Sequence, residues 1–438
     1  MAKQTKLQPK KKTAGPTHAA TTPAPSATAG PRFAQPAPTA DPTKFKVVHA
    51  SDTAAYKILD KEAGTLKPLP FHPSRGGTEP VLQLSDVFGK QGPATIAAIT
   101  QNKQIVFHAA GDTGNTRSVK PQNAVADKMV ADFQENDPAQ VPAFLFHVGD
   151  VVYSFGEAQY YYDQFYEPYR NYPRPIIALA GNHDGMVAPG SSTPTLQAFL
   201  ANFCATAPQQ TAESGGLDRT SMIQPGVYYT LEAPFVRILA LYSNRLEDPG
   251  IISSQNGTYP DLTDVQLTFL KAALQRIASE KFAGAVIIAM HHPPYTTGKH
   301  GSSPVMLQEI DAACKAAGVW PHAVLSGHAH SYQRYTRATG GMEIPYVISG
   351  NGGHGLTPLV NAGSPALRAP VAVSNLPGVT LENYDDQNYG YLRVIVTAQQ
   401  LRIEYHPATD GAAAKTADDS VTVDLKSRKL VHFKVATA

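Results

Sequence analysis

Five short polar clusters bring together carboxylates, a phenol, an amide and imidazoles: Asp112 in GDTG, Asp150 and Tyr153 in GDVVY, Asn182 and His183 in GNHD, His291 in MHHPP, and His328 and His330 in GHAH. A mixed oxygen and nitrogen donor set of this kind suits iron, zinc or manganese rather than soft, thiolate-bound metals. Asp150 is the natural shared ligand, because one carboxylate can give an oxygen to each of two ions about 3.5–4 Å apart. The chemistry this predicts is hydrolysis of a phosphate ester, with two ions activating water and neutralising the phosphoryl oxygens.

Taken singly, each cluster has a plainer explanation. GDTG reads as a turn with a capping Asp, GDVVY as the end of a strand with a buried Tyr, and GNHD and GHAH as tight turns that use the backbone freedom of Gly. Their joint order argues for a site, since each follows an apolar run: IVFHAA, AFLFHV, PIIALA, GAVIIAM and HAVLS. These runs read as buried strands, and ligands at the carboxyl ends of neighbouring strands converge on one crevice. Helical patterns lie between them in AVADKMVADFQ and in TDVQLTFLKAALQRIA. In the second, Thr263 is placed to cap the start, and Val265, Leu267, Leu270, Leu274 and Ile277 form an apolar stripe. Alternating strands and helices predict a layered α/β domain, completed by late strands in YYTLEA, VRILALYS, IPYVISG, YGYLRVIVT, LRIEYHP and SVTVDL.

The 438 residues are 42% hydrophobic, enough for a sizeable core, and the formal charge of +2 gives no argument for nucleic acid as a partner. Residues 1–43 hold Lys3, Lys6 and Lys10 to Lys12 and then mainly Pro, Ala, Thr and Ser, a composition that predicts a disordered basic, Pro-rich tail. Residues 44–102 read as a short extension packed on the core, with KVVHA and YKIL strand-like and PLPFHPSRGGTEP a loop; residues 103–438 read as the catalytic domain. Between Gly185 and Gly226 an insertion, helical in LQAFLANF, is placed to rim the site. The basic start is not followed by the apolar core of a secretory signal, and no stretch approaches the roughly 18 apolar residues of a membrane span. Cys204 and Cys314 lack metal-type spacing. A reduced cytoplasmic setting is expected, with one disulfide between these two as the alternative. Oligomeric state is left open. His108 and His147, inside apolar runs, are expected as hydrogen-bonded core histidines, and the tyrosines from Tyr160 to Tyr172 mainly as packing. GNGGHG, from Gly350 to Gly355, reads as a glycine loop that brings His354 to the edge of the site.

In this order GDTG, GDVVY, GNHD, AMHHPP and GHAH resemble the metal motifs of the purple acid phosphatases, within the calcineurin-like metallophosphoesterase superfamily, over roughly Ile105 to His406. Ordinary members of that superfamily carry a His two residues after the first Asp, where this chain has Gly114. In the purple acid phosphatases the lost ligand is replaced by a Tyr three residues after the bridging Asp, the place of Tyr153. The resemblance implies a layered αββα sandwich and an Fe(III) ion held by Asp112, Tyr153, His330 and the bridging Asp150. It further implies a divalent ion (Fe, Zn or Mn) held by Asn182, His291, His328 and again Asp150. His183 and His300 match the positions that contact substrate phosphate or leaving group, and His292 is kept as a third histidine just outside the ligands.

With that assignment a trivalent and a divalent ion carry about +5, against about −4 from Asp112, Asp150, the Tyr153 phenolate and a hydroxide, which leaves about +1 to attract a phosphate dianion. A trivalent ion also lowers the pKa of water below the value of about 7 typical of zinc, which predicts an acid optimum. The expected activity is hydrolysis of small-molecule phosphate monoesters. A phosphodiesterase acting on cyclic nucleotides or phospholipids is the alternative within enzymes, and a non-catalytic metal- or phosphate-binding module the alternative outside them.

Overall fold

The computed structural model describes residues 30–35, 50–62, 71–243, 247–408 and 416–431. Among the described residues, sixteen strands form two sheets. The first has nine, in the order β1 (Val81–Gln83), β5 (Tyr229–Ala233), β6 (Val236–Leu241), β7 (Ala285–Met290), β8 (Ala323–Ser326), β10 (Met342–Ser349), β9 (Tyr332–Thr339), β12 (Val379–Asp385) and β11 (Val371–Ala372). The second has seven, in the order β16 (Lys429–Leu430), β15 (Asp419–Asp424), β14 (Gln400–Pro407), β13 (Gly390–Thr397), β2 (Gln104–Ala110), β3 (Leu145–His147) and β4 (Ile176–Ala178).

The strands that read as continuous apolar runs are the parallel ones. β6, β7, β8 and β10 run parallel in the first sheet, and β2, β3 and β4 in the second. Every residue of β3, β4, β7 and β8 is buried, as strands covered on both faces require. Outside them, helix Val265–Ser279 packs on β6 and on helix Pro304–Ala317, while helices Gly92–Gln101 and Lys120–Ala131 meet β2 and β13. Between the sheets, β10 touches β13, β15 and β16, and Tyr332 stacks flat on Tyr405 with centroids 4.0 Å apart. The layers are therefore helix, sheet, sheet, helix, the αββα sandwich expected.

Several local expectations are corrected. YKIL lies in a helix, Ala50–Glu62, whose Ala55, Tyr56 and Leu59 pack on the core at helical spacing, not in alternation. Most of KVVHA lies outside the described residues. Helix Val265–Ser279 starts without a side-chain cap from Thr263, and the adjoining Asp264 carboxylate accepts from the Ser254 N–H at 2.8 Å instead. Its buried face is Gln266, Phe269, Leu270, Ala273, Leu274 and Ile277, with Val265 exposed. The face is turned because the Gln266 amide bonds both the N–H and the carbonyl of Tyr242, at 2.7 and 2.9 Å, and so points inward.

The stretch read as a disordered tail contains one docked piece, Gly30–Gln35. Arg32 exchanges hydrogen bonds with Thr220 and pairs with Asp218 at 2.8 Å, Phe33 meets Phe88 edge-on at 5.8 Å, and the Gln35 N–H donates to the Arg170 carbonyl at 2.8 Å. A single aromatic with hydrogen-bonding neighbours suffices to order six residues that composition alone assigns to disorder. Residues 1–29 and 36–49 lie outside the described residues. Cys204 and Cys314 are both buried free thiols. Tyr160, Tyr161, Tyr166, Tyr169 and Tyr172 are buried packing residues. Among the described residues no helix is long and apolar enough to cross a membrane.

Candidate metal centre

All five clusters stand just beyond the carboxyl ends of strands, but not of one sheet. GDTG, GDVVY and GNHD follow β2, β3 and β4 of the seven-stranded sheet, whereas MHHPP and GHAH follow β7 and β8 of the nine-stranded sheet. The expectation of neighbouring strands is thus corrected to two sheets meeting at a seam. Every oxygen donor predicted as a ligand comes from one sheet and every nitrogen donor from the other.

At the seam the side chains form two corners around Asp150. In one, the Tyr153 hydroxyl donates to Asp112 Oδ1 at 2.9 Å and lies 3.3 Å from His330 Nε2, which is 3.6 Å from Asp112. In the other, Asn182 Oδ1 lies 3.0 Å from His291 Nε2 and 3.2 Å from His328 Nδ1. Asp150 Oδ2 is 3.3 Å from His291 Nε2, and Asp150 Oδ1 accepts the His183 N–H at 2.9 Å. Three of these residues, Asp112, Asp150 and His328, have positive φ of 54°, 54° and 69°, a strained conformation that clusters at functional sites. A Cβ on Gly181 would run into the Asp150 carboxylate, so glycine there lets the Asn182 turn approach it.

The hydrogen bonds fix which imidazole nitrogen is free to bind. His291 Nδ1–H donates to the Val148 carbonyl at 2.8 Å, which turns Nε2 toward Asp150 and Asn182. His328 Nε2–H donates to Asp248 Oδ1 at 2.9 Å, leaving Nδ1 toward Asn182. A carboxylate or carbonyl behind the ring is the usual support of a ligand histidine. His183 Nδ1–H donates to the Ser154 carbonyl at 2.7 Å, with its ring on the cavity wall.

Electrostatics carry the same sense. Burial pushes the Asp112 carboxyl up to about 8, against the pull of His291, with Asp150 pushing it further up. Burial also pushes Asp150 up, but His291 and His183 outweigh it and hold that group low. Burial alone would lower His291; Asp150 and Asp112 raise it to about 10. Burial and neighbouring histidines hold His328 and His330 well below their usual range, in the neutral form a metal needs. Tyr153 is pushed well above its ordinary value by burial, then by Asp112 and Asp150. Asp150 Oδ2 is buried with no well-formed hydrogen bond, His291 Nε2 standing 3.3 Å away. Two buried carboxyl groups, one with an orphaned oxygen, and the neutral imidazoles of His328 and His330 fit a pair of cations, whose charge would stand in for the proton that His291 otherwise takes up between Asp150 and Asp112. The oxygen and nitrogen donors suit iron, zinc or manganese.

The remaining predicted residues fall around this core. His300 lines the cavity, 4.6 Å from the His328 ring and 5.3 Å from His330 between centroids, with Nδ1 3.9 Å from Asp248. His292 does not line the cavity. Its ring packs on His328 at 4.2 Å, and Ser243 Oγ both accepts its backbone N–H and bonds its Nδ1. His108 bonds Tyr172 and Asp132, and His147 bonds Thr113, as core histidines do. Sequence reasoning missed Glu247, Asp248, Asp184 and Tyr56. Glu247, His300 and His328 converge closely enough to hold an ion. The Asp184 carboxylate accepts from Gly181 at 2.8 Å and from Val151 at 3.1 Å, tying the GNHD turn to the GDVVY turn. Its place in GNHD was a signal; Glu247 and Asp248, beside a Pro in a loop, gave none. Tyr56, from the helix Ala50–Glu62, donates to Glu247 at 3.0 Å and faces His183 at 5.4 Å. The cavity over the site measures about 710 Å³, with Arg117 and Lys299 among its lining residues.

The chain belongs to the calcineurin-like phosphoesterase family, which matches residues 79–332, more than half of its length. Metal-dependent hydrolysis of phosphate esters with two divalent ions is the chemistry of that family. No curated protein matches the sequence. Among solved structures, a purple acid phosphatase from yellow lupin (Lupinus luteus) seeds is 16% identical with a TM-score of 0.50, covering 73% of this chain and 54% of its own. This chain thus spans about half the length of that enzyme, and the likeness is one of fold. GAP50, the anchor in the inner membrane complex of Plasmodium, is 13% identical with a TM-score of 0.48, covering 73% and 89%. A dimetal phosphatase from Danio rerio is 10% identical with a TM-score of 0.41, covering 73% and 99%.

Proposed function

We propose that this chain hydrolyses phosphate monoesters with a two-metal centre of the purple acid phosphatase kind, Fe(III) beside a divalent ion. The observation that carries the reading is the Tyr153 hydroxyl, 2.9 Å from Asp112 and 3.3 Å from His330, where a third donor completes that corner. Asp112, Tyr153 and His330 would hold one ion, Asn182, His291 and His328 the other, with Asp150 shared. When bound, the two ions would supply a hydroxide nucleophile and neutralise the phosphoryl oxygens.

The chain's own residues do the rest. His183, its Nδ1 committed to the Ser154 carbonyl, offers Nε2 to the cavity it lines. Protonated there, it hydrogen-bonds the phosphoryl group or hands a proton to the leaving alkoxide. His300 serves from the opposite sheet's loop, steered by Asp248. The histidine pair orients the ester along the seam.

The test is elemental analysis of the purified protein together with turnover of a monoester and a diester panel over pH 4–9. Two ions per chain including iron, with monoesters preferred in acid, is the expected result; diester preference with no iron overturns the reading. Asp150→Ala should lose both ions and at least about 10³-fold in turnover, since the shared ligand is gone. Near-normal metal content in that variant would dismiss the binuclear centre.

A further inference from the structure

We infer that His354 is the positioning residue of the Asp112, Tyr153 and His330 corner, holding the Tyr153 ring where its oxygen can bind iron. The inference rests on the proposed two-metal reading and adds a residue that is not a ligand.

His354 reaches the site from the loop after β10. Its backbone N–H donates to the Asp112 carbonyl at 2.8 Å, and its Nδ1–H donates to the Gly114 carbonyl at 3.0 Å. With both groups anchored to the GDTG turn, the imidazole lies flat on Tyr153, centroids 3.7 Å and planes 16° apart. It also meets the His330 ring at 4.7 Å. His354 thus contacts every residue of this corner, Asp112 through its backbone and Tyr153 and His330 through its ring. A Cβ on Gly353 would collide with the Thr113 carbonyl, so the glycine loop is pressed onto the turn closely enough to deliver the next residue, His354. The other corner is supported by different groups, His292 against the His328 ring and Asp248 on its Nε2.

A tyrosine ligand places its oxygen through two side-chain torsions. The Asp112 contact restrains only the hydroxyl end. A ring stacked on the face removes the remaining swing, and its π-system perturbs the orbitals of a phenolate beneath it. Supports of this kind, one step removed from a metal, are worth about 10–100-fold in affinity. They act on the ion they serve and not on its neighbour.

His354→Ala and His354→Phe separate the possibilities. In the alanine variant, iron affinity should fall about 10–100-fold while the second ion is retained, and the visible phenolate-to-iron band should move and broaden. The phenylalanine variant restores a stacked ring without the Gly114 anchor and should recover most of both. An alanine variant with unchanged iron retention and band overturns the inference, as does loss of both ions in parallel. If the wild-type protein is colourless, the iron reading falls by itself. Selective loss of one ion in His354→Ala would then still support the positioning role, and equal retention of both would end it.

Discussion

Burial and two carboxylates make a bare phenolate at Tyr153 very unfavourable, so its deprotonation reports a cation beside it. Bound to Fe(III), the phenolate should give the concentrated oxidised protein a violet to pink charge-transfer band. Tyr153→Phe should abolish the colour and weaken iron retention while the melting temperature moves little, because the ring still packs. A colourless, fully active wild-type protein holding only zinc or manganese would remove the purple acid phosphatase assignment and leave a phosphoesterase of another metal type. Asp248→Asn tests the second corner. The carboxylate orienting His328 Nε2 is replaced by a weaker acceptor, so affinity for the divalent ion should drop about 10–100-fold in a metal titration. That the seven residues proposed as ligands meet His183 at one place was legible because each sits in a short motif at a strand end. Asp248 was not, because it reaches His328 across 80 residues of chain and no local spacing encodes that.

Among elements, the piece Gly30–Gln35 turns a tolerance question into a boundary question. Removing residues 1–29 should leave the melting temperature and turnover nearly unchanged, whereas removal through residue 36 strips the Arg32 contacts with Thr220 and Asp218 and the Phe33 contact with Phe88. That loss should cost about 1–3 kcal/mol, read as a lower denaturant midpoint at unchanged m-value. Equal stability of the two truncations would show that the docking contributes nothing. The parallel strands were legible because burial on both faces leaves an unbroken apolar run, as in β7 and β8. YKIL was misread because four residues satisfy either period; only Ala55 and Leu59 on the same packed face decide for helix. The division of the ligand strands between two sheets was not legible, since strand order depends on contacts between distant segments.

At the scale of the whole molecule, acid should act on the fold as well as on the chemistry. Burial, then Arg428, lowers His322 to about 4, and its Nδ1 accepts the Val286 N–H at 3.0 Å, a bond that a proton there would break. An unfolded histidine titrates near 6.5, so between about 6.5 and 4 the unfolded chain binds a proton that the folded one refuses. The stability this group contributes is complete above about 6.5, falls as the pH drops to about 4, and is flat below. The full loss is on the order of 3 kcal/mol. Denaturant unfolding at pH 7 and pH 4.5 should show the fall, and His322→Gln should make it shallower by this group's share, the remainder coming from other buried histidines such as His147, lowered to about 3. An unchanged slope would mean the group is not protonated on unfolding. A catalyst with an acid optimum would then work on the descending side of its own stability curve.

The split of donors across the seam also bears on how the protein chooses its metals. Asp112, Asp150, Tyr153 and Asn182 belong to loops of one sheet and come first in the chain; His291, His328 and His330 belong to the other and come later. An all-oxygen half-site by itself would favour hard ions such as magnesium or calcium, and an all-imidazole half-site would favour zinc or copper. On the proposed ligand assignment, neither half alone presents the mixed donor set of the assembled centre. On that assignment selectivity is a property that appears only when the two sheets have closed on each other.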